Sequence, residues 1–216
     1  MEIKKIGSDF LRCVIVAGGE IKNYEKIKSY LKPDDTFYIC DSGLYHIKEL
    51  GISPNLVVGD FDSYSDTVTV NCEVVTLPPE KDDTDSFYAV KSALKNGFCD
   101  ILMIGCTGKR FDHTMANISA LYYIHSQNAY GEIVDDYGRY FLSGKRAVIK
   151  KTDCEYFSII PVGEKLSSVT IKGAKYNLEN AKIDMNYLYS TSNEVKEDFC
   201  EITIKSGNAV IFLTED

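Results

Sequence analysis

Two aspartates separated by one residue are the first feature of this chain that could do chemistry. Asp60 and Asp62 lie in the sequence GDFDSY, directly after an apolar run at 56–58. Side chains two residues apart on a strand point to the same face, so these charges need a shared counter-charge or open water. A hard divalent cation such as Mg²⁺ prefers carboxylate oxygens and leaves positions for water and phosphate oxygens. A solvated turn is the alternative interpretation.

A second acidic stretch, EKDDTDSF at 80–87, precedes an amphipathic run. Acidic residues at a helix N-terminus complement the helix dipole by about 0.3–1 kcal/mol, and this alone explains the composition without catalysis. It does not explain why Asp85 and its neighbours accompany the carboxylates of Asp60 and Asp62 at one predicted sheet edge. A shared Mg²⁺ explains both acidic stretches.

The basic stretch GCTGKRFDHTMAN begins at Gly105. Gly105 and Gly108 allow backbone N–H groups to approach an anion, and Lys109 and Arg110 add positive charge before a predicted helix. The spacing of a Walker A loop is absent, and an ordinary strand-to-helix loop is the alternative. His113 is a candidate general base or, alternatively, a helix cap or structural partner.

The elements that would position these residues follow an alternating pattern. Short apolar runs typical of strands buried on both faces lie at 11–17, 37–40, 56–58, 73–77 and 101–104. Helical patterns with plausible caps lie between or after them, at 23–32, 42–50, 84–96 and 112–126. This alternation predicts an α/β fold with a mostly parallel sheet. Ligands bind outside the carboxyl ends of such strands, where the polar clusters fall.

The sequence changes character near residue 131. Short alternating runs and frequent turn residues replace the long helical patterns, and two strand patterns flank Ser206–Asn208. This predicts an antiparallel, all-β sandwich or barrel. We therefore predict an N-terminal α/β domain at 1–130 and an all-β sandwich domain at 137–216.

Composition limits the classes of partner. The chain of 216 residues has a net charge of −8, which argues against nucleic acid, because phosphate backbones need a basic surface. Its seven cysteines form no CxxC pair, which disfavours a zinc site. No apolar stretch reaches the roughly 20 residues of a membrane span, and no secretory signal is recognised. A cytoplasmic protein is expected.

Taken together, these motifs resemble the thiamine pyrophosphokinase family. The ATP-side resemblance is carried, in order and spacing, by CDSGLYHI at 40–47, GDFDS at 59–63, EKDDTDSFYAV at 80–90 and GCTGKRFDHTMANI at 105–118. The thiamine-side resemblance is carried by IKGAKYNLENAKI at 171–183 and STSNEV at 190–195. The resemblance spans nearly the whole chain. It implies transfer of a pyrophosphoryl group from ATP to thiamine, in a homodimer whose active site lies at the subunit interface.

The resemblance also implies roles for individual residues. The implied Mg²⁺ ligands are Asp60, Asp62 and Asp85. Asp41 would lie beside this metal cluster or on the thiamine side, completing the catalytic set. The implied ATP-binding residues are Thr84, Lys109, Arg110, Asp112 and His113. The implied thiamine contacts are Ser192 and Asn193.

The chain departs from the family pattern in one respect, and two other functions are alternatives. Some family members stack a tryptophan on thiamine, and this chain has no tryptophan. Tyr187 or Tyr189 could replace it, or both could pack in the β-domain. Mg²⁺-dependent phosphatases and nucleotidyl transferases also use paired aspartates, so an enzyme of either class is the first alternative. A catalytically inactive protein that binds thiamine or nucleotide is the second alternative.

Overall fold

A computed structural model describes residues 11–60, 71–78, 80, 82–108 and 110–215. The chain divides into two compact units, the first ending at Asp136 and the second beginning at Tyr137. Asp62 and Lys109, two of the predicted site residues, lie outside the described residues. Among the helices that are described, none is long and apolar enough to cross a membrane.

The described part of the first unit contains a parallel sheet of six strands. Its strands are β1 (Arg12–Val16), β2 (Thr36–Cys40), β3 (Leu56–Gly59), β4 (Glu73–Thr76), β5 (Asp100–Ile104) and β6 (Tyr130–Val134). They are arranged in the order β4-β3-β2-β1-β5-β6. Every residue of β1 is buried, as expected for a strand covered on both faces. The predicted N-terminal α/β fold is confirmed, with β6 added to the five strands that the sequence indicated.

Within the described residues, four α-helices and one 3-10 helix accompany this sheet. They are α1 (Tyr24–Lys28), the 3-10 helix Asp41–His46, α2 (Ile47–Leu50), α3 (Asp85–Lys95) and α4 (Phe111–Ser126). The helix predicted at 23–32 is shorter than expected and ends at Lys28, with Ser29 as its C-cap. The helix predicted at 42–50 is divided into a 3-10 segment and α2, which ends at Gly51 in the left-handed conformation.

The second unit is antiparallel and rich in β-structure. Its strands are β7 (Gly138–Ser143), β8 (Arg146–Lys150), β9 (Tyr156–Lys172), β10 (Leu178–Ile183), β11 (Phe199–Thr203) and β12 (Ser206–Thr214). The first part of β9 pairs with β12, and its second part pairs with β10 and β11. Apolar side chains from these strands, including Phe157, Ile171 and Ile211, form one buried cluster. The predicted change to β-structure is confirmed.

Candidate active site

The loops that follow β1 and β5 are packed backbone against backbone. The amide of Gly19 donates to the carbonyl oxygen of Gly105 at 2.8 Å. A Cβ atom added at Gly19 would lie 2.3 Å from the carbonyl oxygen of Thr107 and 2.5 Å from that of Gly105. Gly105 itself has a φ of +64°, which glycine adopts without strain. These two loops can approach this closely only because glycines occupy both.

Asp41 lies against the end of β3. A Cβ atom added at Gly59, the last residue of β3, would be 3.0 Å from the Cβ of Asp41. The Asp41 side chain therefore lies against the residue that directly precedes Asp60. Asp41 has a φ of +34°, a conformation that side chains other than glycine rarely adopt. Such backbone strain concentrates at functional sites, where the surrounding structure holds it in place.

Asp85 reaches the same edge from α3. It is the first residue of that helix, and Thr84 caps the helix by accepting a hydrogen bond from the amide of Phe87 at 3.2 Å. Burial raises the pKa of the Cys40 thiol, and the charges of Asp85 and Asp41 raise it further. Asp41 directly follows the last residue of β2, and α3, which begins with Asp85, packs against β1, β2 and β3.

These carboxylates suit a hard cation by ligand type and by their position at one sheet edge. No group of three or more His, Cys, Asp or Glu side chains within the described ranges is arranged to hold a metal ion. The predicted set of Asp60, Asp62 and Asp85 includes one residue outside those ranges. The Mg²⁺ site therefore stays a prediction, supported by the chemistry of the donors.

Three of the predicted nucleotide-side residues, Arg110, Asp112 and His113, lie at the start of α4. Arg110 immediately precedes the helix, and its guanidinium pairs with the Asp112 carboxylate at 2.6 Å. Hydrogen bonding to Arg110 lowers the pKa of Asp112. Both side chains are about two-thirds exposed, so this ion pair adds little stability, and the guanidinium is accessible from solvent. His113, in the first turn, is also exposed.

Two aspartates that the sequence analysis did not select support the glycine loops. The Asp136 carboxylate accepts hydrogen bonds from the amides of Lys22 and Asn23 at 2.9 and 2.8 Å. The Asp135 carboxylate accepts one from the hydroxyl of Thr107 at 2.8 Å. Both follow β6 directly, the same strand-end pattern that marked the other candidates. The sequence did not indicate them, because these two aspartates and all but the first residue of β6 fall between the predicted domains at 1–130 and 137–216.

A buried histidine is hydrogen-bonded to the backbone of the loop after β1. His46 is 7% exposed, and its Nε2 contacts the carbonyl oxygen of Gly19 at 2.9 Å. A carbonyl only accepts, so Nε2 carries the proton and Nδ1 accepts from the Tyr24 hydroxyl at 2.8 Å. Burial lowers the pKa of His46, and the hydrogen bond to Gly19 opposes this shift more weakly. The neutral tautomer is therefore part of the fold.

This arrangement predicts a loss of stability in acid. Because the folded pKa of His46 lies below its ordinary value near 6.5, its contribution is complete above that value and is lost as the pH falls through the folded pKa. Urea unfolding at about pH 7.5 and about pH 5 is expected to show this fall, and His46→Gln is expected to reduce it. Burial also lowers the pKa of His125. The fall in unfolding free energy between the two pH values is therefore measured in His125→Gln as well and compared with that in His46→Gln. If His46→Gln loses as much unfolding free energy between the two pH values as the wild type does, the proposed contribution of neutral His46 is wrong.

In the second unit, Ser192 and Asn193 have different surroundings. Ser192 is exposed with a φ of +53°, and its amide donates to the Ser158 hydroxyl at 3.0 Å. Asn193 is 5% exposed. Its Nδ2 donates to the carbonyl oxygen of Tyr176 at 2.8 Å, and its Oδ1 accepts from the amide of Tyr176 at 3.0 Å and from that of Glu194 at 2.9 Å. The Asn193 amide thus holds backbone in place, whereas Ser192 is accessible to a ligand.

Tyr187 and Tyr189 form an exposed aromatic pair. Their ring centroids are 5.5 Å apart, and they are 74% and 41% exposed. The hydroxyl of Tyr189 donates to the carbonyl oxygen of Lys182 at 2.5 Å. Neither ring packs in the core of the β-unit, so both are accessible to a flat cation.

Comparison with known proteins matches both units. Residues 27–131 match the thiamin pyrophosphokinase catalytic domain, and residues 146–211 match the vitamin B1 binding domain of the same enzyme. Thiamine pyrophosphokinase from Bacillus subtilis is 30% identical over 209 residues, which cover 94% of this chain and 98% of that protein. A Caenorhabditis elegans relative, thiamin pyrophosphokinase 1, is 33% identical over 75% of this chain and 70% of its own length.

Solved structures agree with these sequence matches. The crystal structure of the Bacillus subtilis thiamine pyrophosphokinase superposes with a TM-score of 0.86, at 26% identity, over 95% of this chain and 99% of that one. The thiamin pyrophosphokinase from Candida albicans shares the fold, with a TM-score of 0.79 over 96% of this chain and 90% of that one, at 16% identity.

Proposed function

Because the chain belongs to the thiamine pyrophosphokinase family, we propose that it transfers the pyrophosphoryl group of ATP to the hydroxyl of thiamine, giving thiamine diphosphate and AMP. The prediction of an enzyme of this type is confirmed by the family matches to both units. The observation that carries the proposal is that the catalytic-domain match covers the ends of β2 and β3, which Asp41 and Asp60 follow directly, and the start of α3, which is Asp85.

The reaction needs alignment and charge neutralisation more than covalent chemistry. The thiamine hydroxyl attacks the β-phosphorus of ATP, and AMP leaves from the opposite side. Arg110, together with Lys109, would meet the phosphates, and the amides of the loop beginning at Gly105 would bind phosphate oxygens. Thr84 and Asp112 would line the same nucleotide pocket, with His113.

The carboxylates proposed to hold Mg²⁺ are Asp60, Asp62 and Asp85, with Asp41 beside them. When bound, Mg²⁺ neutralises charge on the triphosphate. Without the ion, four carboxylates close to a triphosphate would repel it, since the protein already carries a net charge of −8. The protein's part is to hold these oxygens at one edge of the sheet before ATP arrives.

The second unit is proposed to form a β-sandwich that binds thiamine. One buried cluster with contributions from β8, β9, β11 and β12 supports this packing. Ser192 is proposed to contact the pyrimidine, together with the backbone that Asn193 fixes, and Tyr187 or Tyr189 to face the thiazolium ring. The subunits are further proposed to form a homodimer with the active site at the interface. Sedimentation equilibrium tests the dimer.

A product assay tests the reaction. The purified protein, incubated with ATP, Mg²⁺ and thiamine, is expected to form AMP and thiamine diphosphate in equal amounts, and no AMP when thiamine is omitted. Release of ADP, free phosphate or pyrophosphate instead would identify a phosphatase or nucleotidyl transferase. Binding of thiamine without any product would identify an inactive binding protein.

Replacing Ser192 tests the thiamine contact. We expect Ser192→Ala to raise the KM for thiamine roughly 3- to 10-fold, the equivalent of one hydrogen bond, with little change in kcat or in the KM for ATP. Steady-state kinetics with each substrate varied gives the three constants. Thr191→Ala, at the adjacent exposed position, is the control and is expected to behave like the wild type. An unchanged thiamine KM in Ser192→Ala contradicts the contact.

A further inference from the structure

A buried amide connects two segments that carry proposed active-site groups. Asn117, in α4, is 6% exposed, and its Nδ2 donates to the carbonyl oxygen of Cys106 at 2.7 Å. Its Oδ1 accepts from the hydroxyl of Ser86, also at 2.7 Å. Cys106 belongs to the loop after β5, and Ser86 directly follows Asp85. The amide of one residue thus joins the loop after β5 to the acidic start of α3.

The hydrogen bonds in this cluster run in one direction. The single hydroxyl proton of Ser86 is directed to Asn117, so the contact of 3.2 Å between Thr84 Oγ1 and Ser86 Oγ is donated by Thr84. Thr84 accepts in turn from the amide of Phe87. Each hydroxyl and the amide therefore both donate and accept. Such chains strengthen one another in a low-dielectric interior.

Packing alone does not require these residue types. Asparagine is a poor helix former in a helix interior, and a leucine of similar size would bury more apolar surface at position 117. A buried amide that loses its partners costs about 1–3 kcal/mol. Ser86 is likewise buried, at 8% exposure. The polar cluster is therefore costly unless it holds the two segments in a defined arrangement.

We propose that Asn117 is a positioning residue that fixes the start of α3 relative to the loop after β5. Asp85 and the loop that begins at Gly105 then keep one separation when the triphosphate binds. This inference rests on the proposed function for its consequence, since displacement of a reacting group by an ångström can lower a rate about 100-fold. Neither Asn117 nor Ser86 is assigned contact with a substrate.

Two variants interrupt the cluster at different points. Ser86→Ala removes the bond to Oδ1 of Asn117 and leaves the bond to Cys106. Asn117→Asp keeps the acceptor for Ser86 and places an oxygen against the Cys106 carbonyl. We expect each to lower kcat about 10-fold or more while leaving the KM for thiamine unchanged. Ser86→Thr keeps the hydroxyl and is expected to restore the rate.

Metal affinity supplies a measurement independent of turnover. Mn²⁺, which accepts the same oxygen ligands as Mg²⁺, is titrated into substrate-free protein and followed by electron paramagnetic resonance. We expect Ser86→Ala to weaken Mn²⁺ binding several-fold, because Asp85 is no longer held in place. The matched control is Ser143→Ala in the second unit, which removes a fully buried hydroxyl that donates to the carbonyl oxygen of Arg146 at 3.3 Å. The control is expected to lower Tm without changing kcat or Mn²⁺ affinity.

The outcomes separate this inference from the function itself. If Ser86→Ala and Asn117→Asp lower only Tm, as the control does, the positioning role is wrong. If the wild type makes no AMP from ATP and thiamine, the proposed function is wrong, and the Mn²⁺ affinities of the variants still decide the positioning role. If Asn117→Asp does not fold, the comparison of Ser86→Ala with Ser86→Thr decides it.

Discussion

An Asp85→Asn variant is expected to lose roughly 100-fold or more of the wild-type turnover while remaining folded. Asparagine has the same shape as aspartate but lacks the charge that would bind the metal ion. Position 85 is the first residue of α3, so the change also removes a favourable charge–dipole interaction of only about 0.3–1 kcal/mol. Stability and turnover should therefore respond very differently. Single-turnover kinetics and urea unfolding on the same preparation measure both quantities.

The neighbouring Asp83 provides a matched control. It lies two residues away at the same helix start, and its carboxylate pairs with the ammonium of Lys91 at 2.7 Å on the protein surface. Asp83→Asn removes the same charge but is expected to retain nearly full turnover. Equal activity in the Asp85→Asn and Asp83→Asn proteins would mean that the charge at 85 is only a helix-dipole partner. The proposed metal role of Asp85 would then be withdrawn.

A Gly19→Ala variant is expected to lose about 3 kcal/mol of unfolding free energy, together with most of its activity. The added Cβ would meet the carbonyl oxygens of Thr107 and Gly105 at distances that no real Cβ contact shows. Both are backbone atoms, so the clash is relieved only when the loops after β1 and β5 move apart. Urea unfolding and ATP turnover are the measurements.

Gly51→Ala separates steric crowding from backbone conformation. Gly51 has a φ of +69°, but a Cβ added there would meet no atom within 4 Å. Its replacement is expected to cost about 1–2 kcal/mol through backbone strain alone and to leave turnover unchanged. If Gly19→Ala loses no more stability than this and remains fully active, the close packing of the two loops is not needed for the site.

Much of the first unit follows from local sequence. The apolar runs of β1, β3 and β5, with the glycines that end or follow them, determine strands buried on both faces, whereas β4 is mostly exposed, contrary to the prediction for 73–77. Thr84 and Gly51 define helix ends by capping rules that act within a few residues. The acidic and basic candidates were visible for the same reason, because each lies directly after a recognisable strand or at a helix start. The order of the motifs was sufficient to predict the family.

Only the tertiary structure determined the contacts between distant segments. The sequence by itself determined which residues lie at strand ends, since that depends on patterns a few residues long. It did not determine that Asp136 supports the loop of Lys22 or that His46 binds Gly19. Nor did it determine that Asn117 joins Ser86 to Cys106. Each of these contacts joins residues between 11 and 114 positions apart, and hydrogen bonds of that kind leave no periodic trace in sequence. They exist because buried polar groups must find partners once the sheet has placed the segments side by side.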